Sequence, residues 1–238
     1  MASTSVGAIR RPCLDWRVSG IRRRALVDLH AFAANLDGDV LDGRADAYGH
    51  GLDLIGPAAL EAGVRGVVVS NDRDAGVAIA AGFRYEMVRH DRDVSGASSA
   101  AYGLSGSGRP VLSLVGEVVA LKHVAADSGV SYGYTYRTPG ATTLALVALG
   151  YADGVPRLAS NRARVLVGDA TFPLVGRIAM DQFVLDVGSA AVELGADAVL
   201  FGDPARGEPS ALDWAGWTER TPLALTAGLA SRVRRVAR

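Results

Sequence analysis

The chain has 238 residues, 49% hydrophobic and 21% charged, with 25 basic and 25 acidic side chains. That is ordinary globular usage, so a packed core is expected and disorder is not the default, and a zero net charge gives no field that favours nucleic acid or an anionic membrane. Cys13 is the one cysteine, which rules out an internal disulfide and a thiolate zinc cage.

The first 21 residues read as an irregular arm punctuated by Pro12 and Gly20. No apolar stretch follows Arg10 and Arg11 as a secretory leader requires, and no run approaches a bilayer span. The expectation is a soluble cytoplasmic protein. Residues 24–29 alternate like a short strand, 30–36 suit a helical turn or two, and 40–44 suit a second strand. The polar run ADAYGHG follows at 45–51. Helical patterns over 54–62 and 73–81 close on Gly63 and Gly82. Between them lies the apolar run 64–70, and a third short strand is expected over 85–88. Residues 40–90 therefore predict about three strand–helix units of a parallel α/β layout.

Residues 91–110, rich in Ser and Gly, read as a linker or long loop. Beyond them, short alternating segments at 111–120, 130–136, 144–149, 164–167, 183–187 and 198–201 predict an antiparallel β-domain or small barrel. Helices are expected over 210–217 and 223–230. The fold class is thus α/β plus all-β: an arm (1–21), a parallel part (22–95) and a β-domain (96–238).

Two polar concentrations carry the chemistry. Arg44 to Gly51 follows directly on a predicted parallel strand, where α/β active sites collect, and Tyr48 and His50 are candidate ligands for a phosphate or carboxylate. The second comprises SYGYTY at 131–136, GYADGVPR at 150–157 and GRIAMDQ at 176–182. Any one such tyrosine suits an edge or core packing role, but three clusters that pair an aromatic residue or Met with Arg or Asp suggest a site. Tyr132 beside Arg157 or Arg177 suits acid–base work, because a phenol near pKa 10 needs cations or hydrogen bonds to act at neutral pH. Lys122, the single lysine, and His123 fall mid-strand on a solvated face. There is no P-loop, HExxH, GxSxG or Rossmann fingerprint.

Taken together these strings resemble the alanine racemase family, in order from about Arg24: VDL at 27–29, Asn35, ADAYGHG, EAG at 61–63, the three β-domain motifs, PSALDWA at 209–215 and SRVRRV at 231–236. The resemblance implies an N-terminal β/α barrel that binds pyridoxal phosphate. It also implies a C-terminal β-domain that gives a catalytic tyrosine to the partner subunit of a head-to-tail dimer. It assigns Tyr132 to the tyrosine base, Tyr151, Arg157, Arg177 and Asp181 to the substrate corridor, Met180 to the substrate carboxylate and Tyr48 to the phosphate.

Three departures bear on function. The family's cofactor lysine precedes ADAYGHG, and here that position is Arg44. A guanidinium with pKa above about 12 cannot form a Schiff base. A closed barrel needs about 250 residues, so roughly five βα units would be absent and the parallel part would be a truncated barrel remnant. Leu223 stands where the resemblance expects a phosphate-capping tyrosine.

The reading that follows is a protein without pyridoxal phosphate or metal. It would be a homodimeric proton-transfer enzyme (isomerase, dehydratase or cyclase) on a small anionic or carbonyl metabolite of specialised metabolism. Tyr132 would serve as acid–base, Arg44 as anion anchor, and Tyr48, His50, Tyr151, Arg157, Arg177, Met180 and Asp181 as substrate contacts. The alternatives are a non-catalytic binding or regulatory homologue and a racemase that uses pyridoxal phosphate, with Lys122 as a displaced Schiff-base residue.

Overall fold

The structure, a computed structural model, describes residues 20–92 and 94–238. The arm expected over 1–21 lies outside the described residues but for Gly20 and Ile21. The N-terminal part holds β1 (Arg24–Val27), α1 (Leu29–Asn35) and β2 (Val40–Asp42). A tight turn, α2 (Arg44–Tyr48), leads into α3 (Leu52–Glu61), β3 (Gly66–Val69), α4 (Asp72–Ala80), β4 (Val88–His90) and β5 (Ala97–Ser98). The C-terminal part runs through β6 (Leu112–Val124), β7 (Gly129–Val130), β8 (Tyr136–Arg137) and β9 (Thr142–Val147). It continues with β10 (Arg164–Val167), β11 (Ala170–Val175), β12 (Phe183–Gly188) and β13 (Asp197–Phe201). Helices α5 (Ala211–Thr218) and α6 (Pro222–Ala227) precede the last strand, β14 (Arg234–Ala237).

Strands β2 to β5 make a four-stranded, wholly parallel sheet in the order β4-β3-β2-β5. Every residue of β2 and β3 is buried, as expected of parallel strands with both faces covered. Local sequence starts and stops the helices. Asn71 accepts from the Asp74 amide at the head of α4, whose first turn carries Asp72 and Asp74. The core of this part gathers Phe32, Leu41, Ile55, Val67, Phe83 and Tyr102.

The second core lies inside a closed antiparallel barrel. The pairings run β13-β10-β11-β12-β9-β6, and β13 pairs back onto β6. The length of β6 allows this: Leu114–Glu117 pair with β13, while Val118–Val124 pair with β9 past a register shift between Val118 and Ala120. Alternate residues of β12 point inward, and Phe183, Leu185, Leu174 and Trp214 fill the interior.

Four expectations are corrected. β1, read as the first strand of the parallel part, lies instead between β6 and β14 in the barrel's sheet. The segment 91–110, read as a linker, supplies β5 and a buried 3₁₀ turn at Ala100–Tyr102, so the parallel sheet has four strands and its core continues to Val111. A strand expected over 130–136 is interrupted by left-handed backbone at Ser131, Gly133 and Tyr134. β11 and β14 have no counterpart in the sequence reading. Pro173 hides β11; β12 pairs with Leu174 and Val175 only, so the proline sits where one neighbour has already ended. Among the described residues no helix is long and apolar enough to cross a membrane.

The polar run at 45–51 opens on a left-handed helical turn. Ala45, Asp46, Ala47 and Tyr48 have φ of 52°, 56°, 53° and 49°, a conformation that costs L-residues roughly 1–2 kcal/mol each. It is held by Ala47 N–H to Gly43 O at 3.0 Å, Gly49 N–H to Ala45 O at 2.9 Å and the Asp46 carboxylate on the Leu52 amide at 2.8 Å. Gly49 (φ +78°) presses on the Thr226 carbonyl of α6, where a Cβ would overlap. Gly63 (φ +95°) has open space instead. Gly49→Ala should therefore lower unfolding free energy by about 1–3 kcal/mol more than Gly63→Ala in urea titrations. Equal losses would show that the α6 contact is not what fixes the turn.

Candidate functional site

The end of β2 places Asp42 and Arg44 side by side, two residues apart. Arg44 Nε donates to Asp42 Oδ1 at 2.8 Å and Nη2 donates to Oδ2 at 2.7 Å, a two-pronged ion pair. Tyr48 OH donates to the same Oδ2 at 2.9 Å, and Arg44 Nη2 lies 3.2 Å from the phenol oxygen. Tyr102, buried from the segment read as a linker, donates to the Asp42 carbonyl at 2.6 Å. Burial alone would raise the Asp42 carboxyl, but the hydrogen bonds from Arg44 and Tyr48 outweigh it and hold it below its usual range. The pairing raises Arg44 further above its ordinary value, and burial followed by the Asp42 bond raises the Tyr48 phenol. The corner holds a fixed cation and no amine.

His50 does not face this corner's opening. Its side chain is fully buried, 4.6 Å from the Tyr102 ring centroid. Nδ1 lies 2.9 Å from Ala47 O and 3.2 Å from Tyr48 O, so it carries the proton and Nε2 is left without a partner among the described residues. The expected contact from His50 to a ligand is thereby corrected to a packing role.

The three β-domain motifs do converge. A Cβ on Gly176 would meet Ser131, and one on Gly133 would meet the Arg177 guanidinium, so 131–134 lies along 176–177. Tyr151 N–H donates to Ala179 O at 3.0 Å and Ala152 N–H to Met180 O at 2.9 Å, which joins the second motif to the third. The Arg157 guanidinium stands 5.6 Å over the Tyr151 ring. The result is an open face: Tyr132 is 74% exposed, Tyr134 63% and Met180 54%.

Beneath the face runs an ion-pair relay centred on Asp153. Buried Asp153 accepts from the Gly150 amide and lies 2.6 Å from Arg232 Nε and 3.3 Å from Arg23 Nε. Arg232 Nη2 donates to Asp181 at 2.6 Å. Asp181 is thus tied to Arg232 rather than free for a ligand. Asp42, Tyr102, Asp153 and Arg232 were not among the candidate residues, although Asp153 lies within GYADGVPR and Arg232 within SRVRRV. The cleft beside Tyr132 is lined by Ser131, Tyr134 and Phe183 and does not take in Arg44.

The burial of His50 has a pH signature. Desolvation pushes its imidazole down to about 4, against the hydrogen bonds to Ala47 and Tyr48 that would raise it. A histidine depressed on folding contributes stability above its unfolded pKa of 6.5, and that stability drains away as the pH falls towards 4. Thermal or urea unfolding should show a loss of roughly 3 kcal/mol across that window. In His50→Gln that pH slope should vanish; an unchanged slope would mean the ring is not buried neutral.

A family model described as alanine racemase, C-terminal domain, matches residues 111–237. Alanine racemase of Streptomyces coelicolor is 51% identical over 128 residues, 54% of this chain and 33% of that protein. That of Thermobifida fusca is 46% identical over 128 residues, 54% of this chain and 34% of that protein. The chain spans about a third of the length of these curated relatives. Among solved structures, alanine racemase from S. coelicolor superposes with a TM-score of 0.77 at 25% identity, over 91% of this chain and 98% of that one. One from Oenococcus oeni gives 0.80 at 16% identity, over 92% and 99%. One from Bartonella henselae, described with covalently bound pyridoxal phosphate, gives 0.71 at 16% identity, over 92% and 100%. The sequence match is confined to the β-domain, whereas the superpositions take in the parallel part as well. With the matched domain covering more than half of its length, the chain belongs to the alanine racemase family.

Proposed function

We propose that the chain is a binding member of this family that has set aside Schiff-base chemistry and works through the tyrosine–arginine face of its β-domain. The observation that carries this reading is the Arg44 fork closed on Asp42. A covalent pyridoxal phosphate site needs a free amine, and the residues present do not fit that group. Arg44 stands at the lysine position, Tyr48 spends its hydroxyl on Asp42, and Leu223 packs into the N-terminal core where a phenol was expected. The sole lysine, Lys122, lines a different cleft, with Val124 and Val130.

The same pair weakens the role of Arg44 as an anion anchor. An incoming carboxylate would have to displace Asp42 from both prongs, and charge-assisted bonds of this kind are worth about 1.5–3 kcal/mol before solvent screening. At 1.4 kcal/mol per decade that is roughly a tenfold to hundredfold loss of affinity. The parallel sheet is read as a shortened barrel, and the exposed Tyr132, Tyr134 and Met180 as the contact surface of a dimer. Proton transfer by Tyr132 without a cofactor is the second reading, favoured by the Arg177 guanidinium beside Gly133. The names of the relatives favour the third, a racemase that uses pyridoxal phosphate.

The test is a visible spectrum of the purified chain with pyridoxal phosphate, beside alanine racemisation assays. No aldimine band and no racemisation are expected from the wild type. A band that Lys122→Ala removes would overturn the reading in favour of a racemase. Turnover of any candidate metabolite that Tyr132→Phe abolishes would overturn it in favour of proton transfer.

A further inference from the structure

The outer face of the barrel's sheet carries an apolar cleft. Along β6, β9 and β12 the pairing sets Ala120, Leu146 and Val184 in one row, and Lys122, Leu144 and Asp186 in the next. Their neighbours in sequence, Ala145, Val147, Leu185 and Val187, point the other way into the core. An antiparallel sheet with one face packed usually turns polar residues outward. Here the outward rows are mainly aliphatic, and Leu144, Leu146 and Val184 are half-buried rather than covered. With Val130 from β7 they line a cleft of about 250 Å³. It adjoins the cleft beside Tyr132, with which it shares Ser131, Leu146 and Val184.

One charge stands in this cleft, and it is unmatched. Lys122 lines the cleft and has no hydrogen bond or ion pair among the described residues. The acidic group in its own cross-strand row is already taken: Asp186 accepts from Tyr136 OH at 2.8 Å, from the Gly188 amide at 3.2 Å and from the Thr142 hydroxyl. Burial, then the bond to Asp186, pushes the Tyr136 phenol up to about 12, so it stays neutral and cannot serve Lys122 as a counter-ion. A single ammonium beside an aliphatic floor matches a ligand with one negative charge and an apolar body. A dianion would leave half its charge unmet over hydrocarbon, which is costly, and a neutral apolar molecule would leave the ammonium unused.

We propose that the Lys122 cleft is a binding site for a small aliphatic monocarboxylate, its carboxylate on the Lys122 ammonium and its chain on Leu144, Leu146 and Val184. The site goes beyond the reading above: it needs neither the Asp42–Arg44 corner nor the exposed tyrosines, and it asks of Lys122 only a charge.

The test is calorimetric titration of the full chain with octanoate and, separately, with octanamide at low ionic strength, with sedimentation velocity on the same samples. Octanoate should saturate and bind about threefold more tightly than octanamide, its uncharged analogue. Lys122→Met should abolish that difference, and Val184→Thr should weaken both probes by a similar factor of about three, each with circular dichroism unchanged. No saturation by octanoate, or a preference that survives Lys122→Met, overturns the proposal. A dimer that Val184→Thr disperses and octanoate leaves intact would make the face a contact between copies of the chain, and would overturn it equally.

Discussion

The ion pair between Asp42 and Arg44 organises the N-terminal part. A carboxylate at the end of a buried strand needs its charge met, and the fork two residues on meets both oxygens at once. Beyond Arg44 the chain turns sharply through four left-handed residues, Ala45 to Tyr48, that ordinary propensity disfavours. Tyr48, delivered by that turn, adds a third donor to the same carboxylate. His50, delivered two residues later, is forced inward against Tyr102. Arg235 then closes the back of the turn, donating from Nε to Gly49 O at 2.9 Å and from Nη1 to Ala230 O and Val233 O. One electrostatic requirement at Asp42 thus reaches the C-terminal strand.

The β-domain is built on a different principle. A closed ring of strands leaves no edge to defend, so its outer loops are free to carry polar chemistry. Asp153 under the face is the corresponding fixed point, drawing Arg23 from the start of the described chain and Arg232 from its end to one buried carboxylate. The tyrosines above it have no such anchor and stand in solvent. The molecule therefore presents one closed corner, at Asp42 and Arg44, and one open face, at Tyr132 and Met180.

Much of this was legible in the sequence because periodicity reports burial. The helices over 54–62 and 73–81, the apolar strand near 66–69 and the barrel strands at 164–167, 183–187 and 198–201 all follow from spacing of apolar residues and glycine stops. What failed was what periodicity cannot report. Residues 24–27 alternate equally well in either sheet, and only the long-range pairing with β6 and β14 decides. Tyr102 lies in a Ser/Gly-rich stretch whose composition says loop, yet its ring is wholly buried. The left-handed turn is invisible because Ala45 and Ala47 are strong right-handed helix formers, overridden by contacts on both sides. The three β-domain motifs that the sequence singled out do lie together in the fold, whereas ADAYGHG turns its histidine inward. The partner of Arg44 was not legible, because a strand-end aspartate reads as a turn residue until its neighbour is seen folded onto it.

The most direct test is nitrogen-15 NMR of the arginine Nε–H groups, with the Arg44 signal assigned by its loss in Arg44→Lys. The account predicts a resolved, slowly exchanging Arg44 signal that collapses to the solvent-averaged position in Asp42→Asn. An Arg44 signal already solvent-averaged in the wild type, and indifferent to Asp42→Asn, would mean that the fork is open and that the corner is free to hold a ligand.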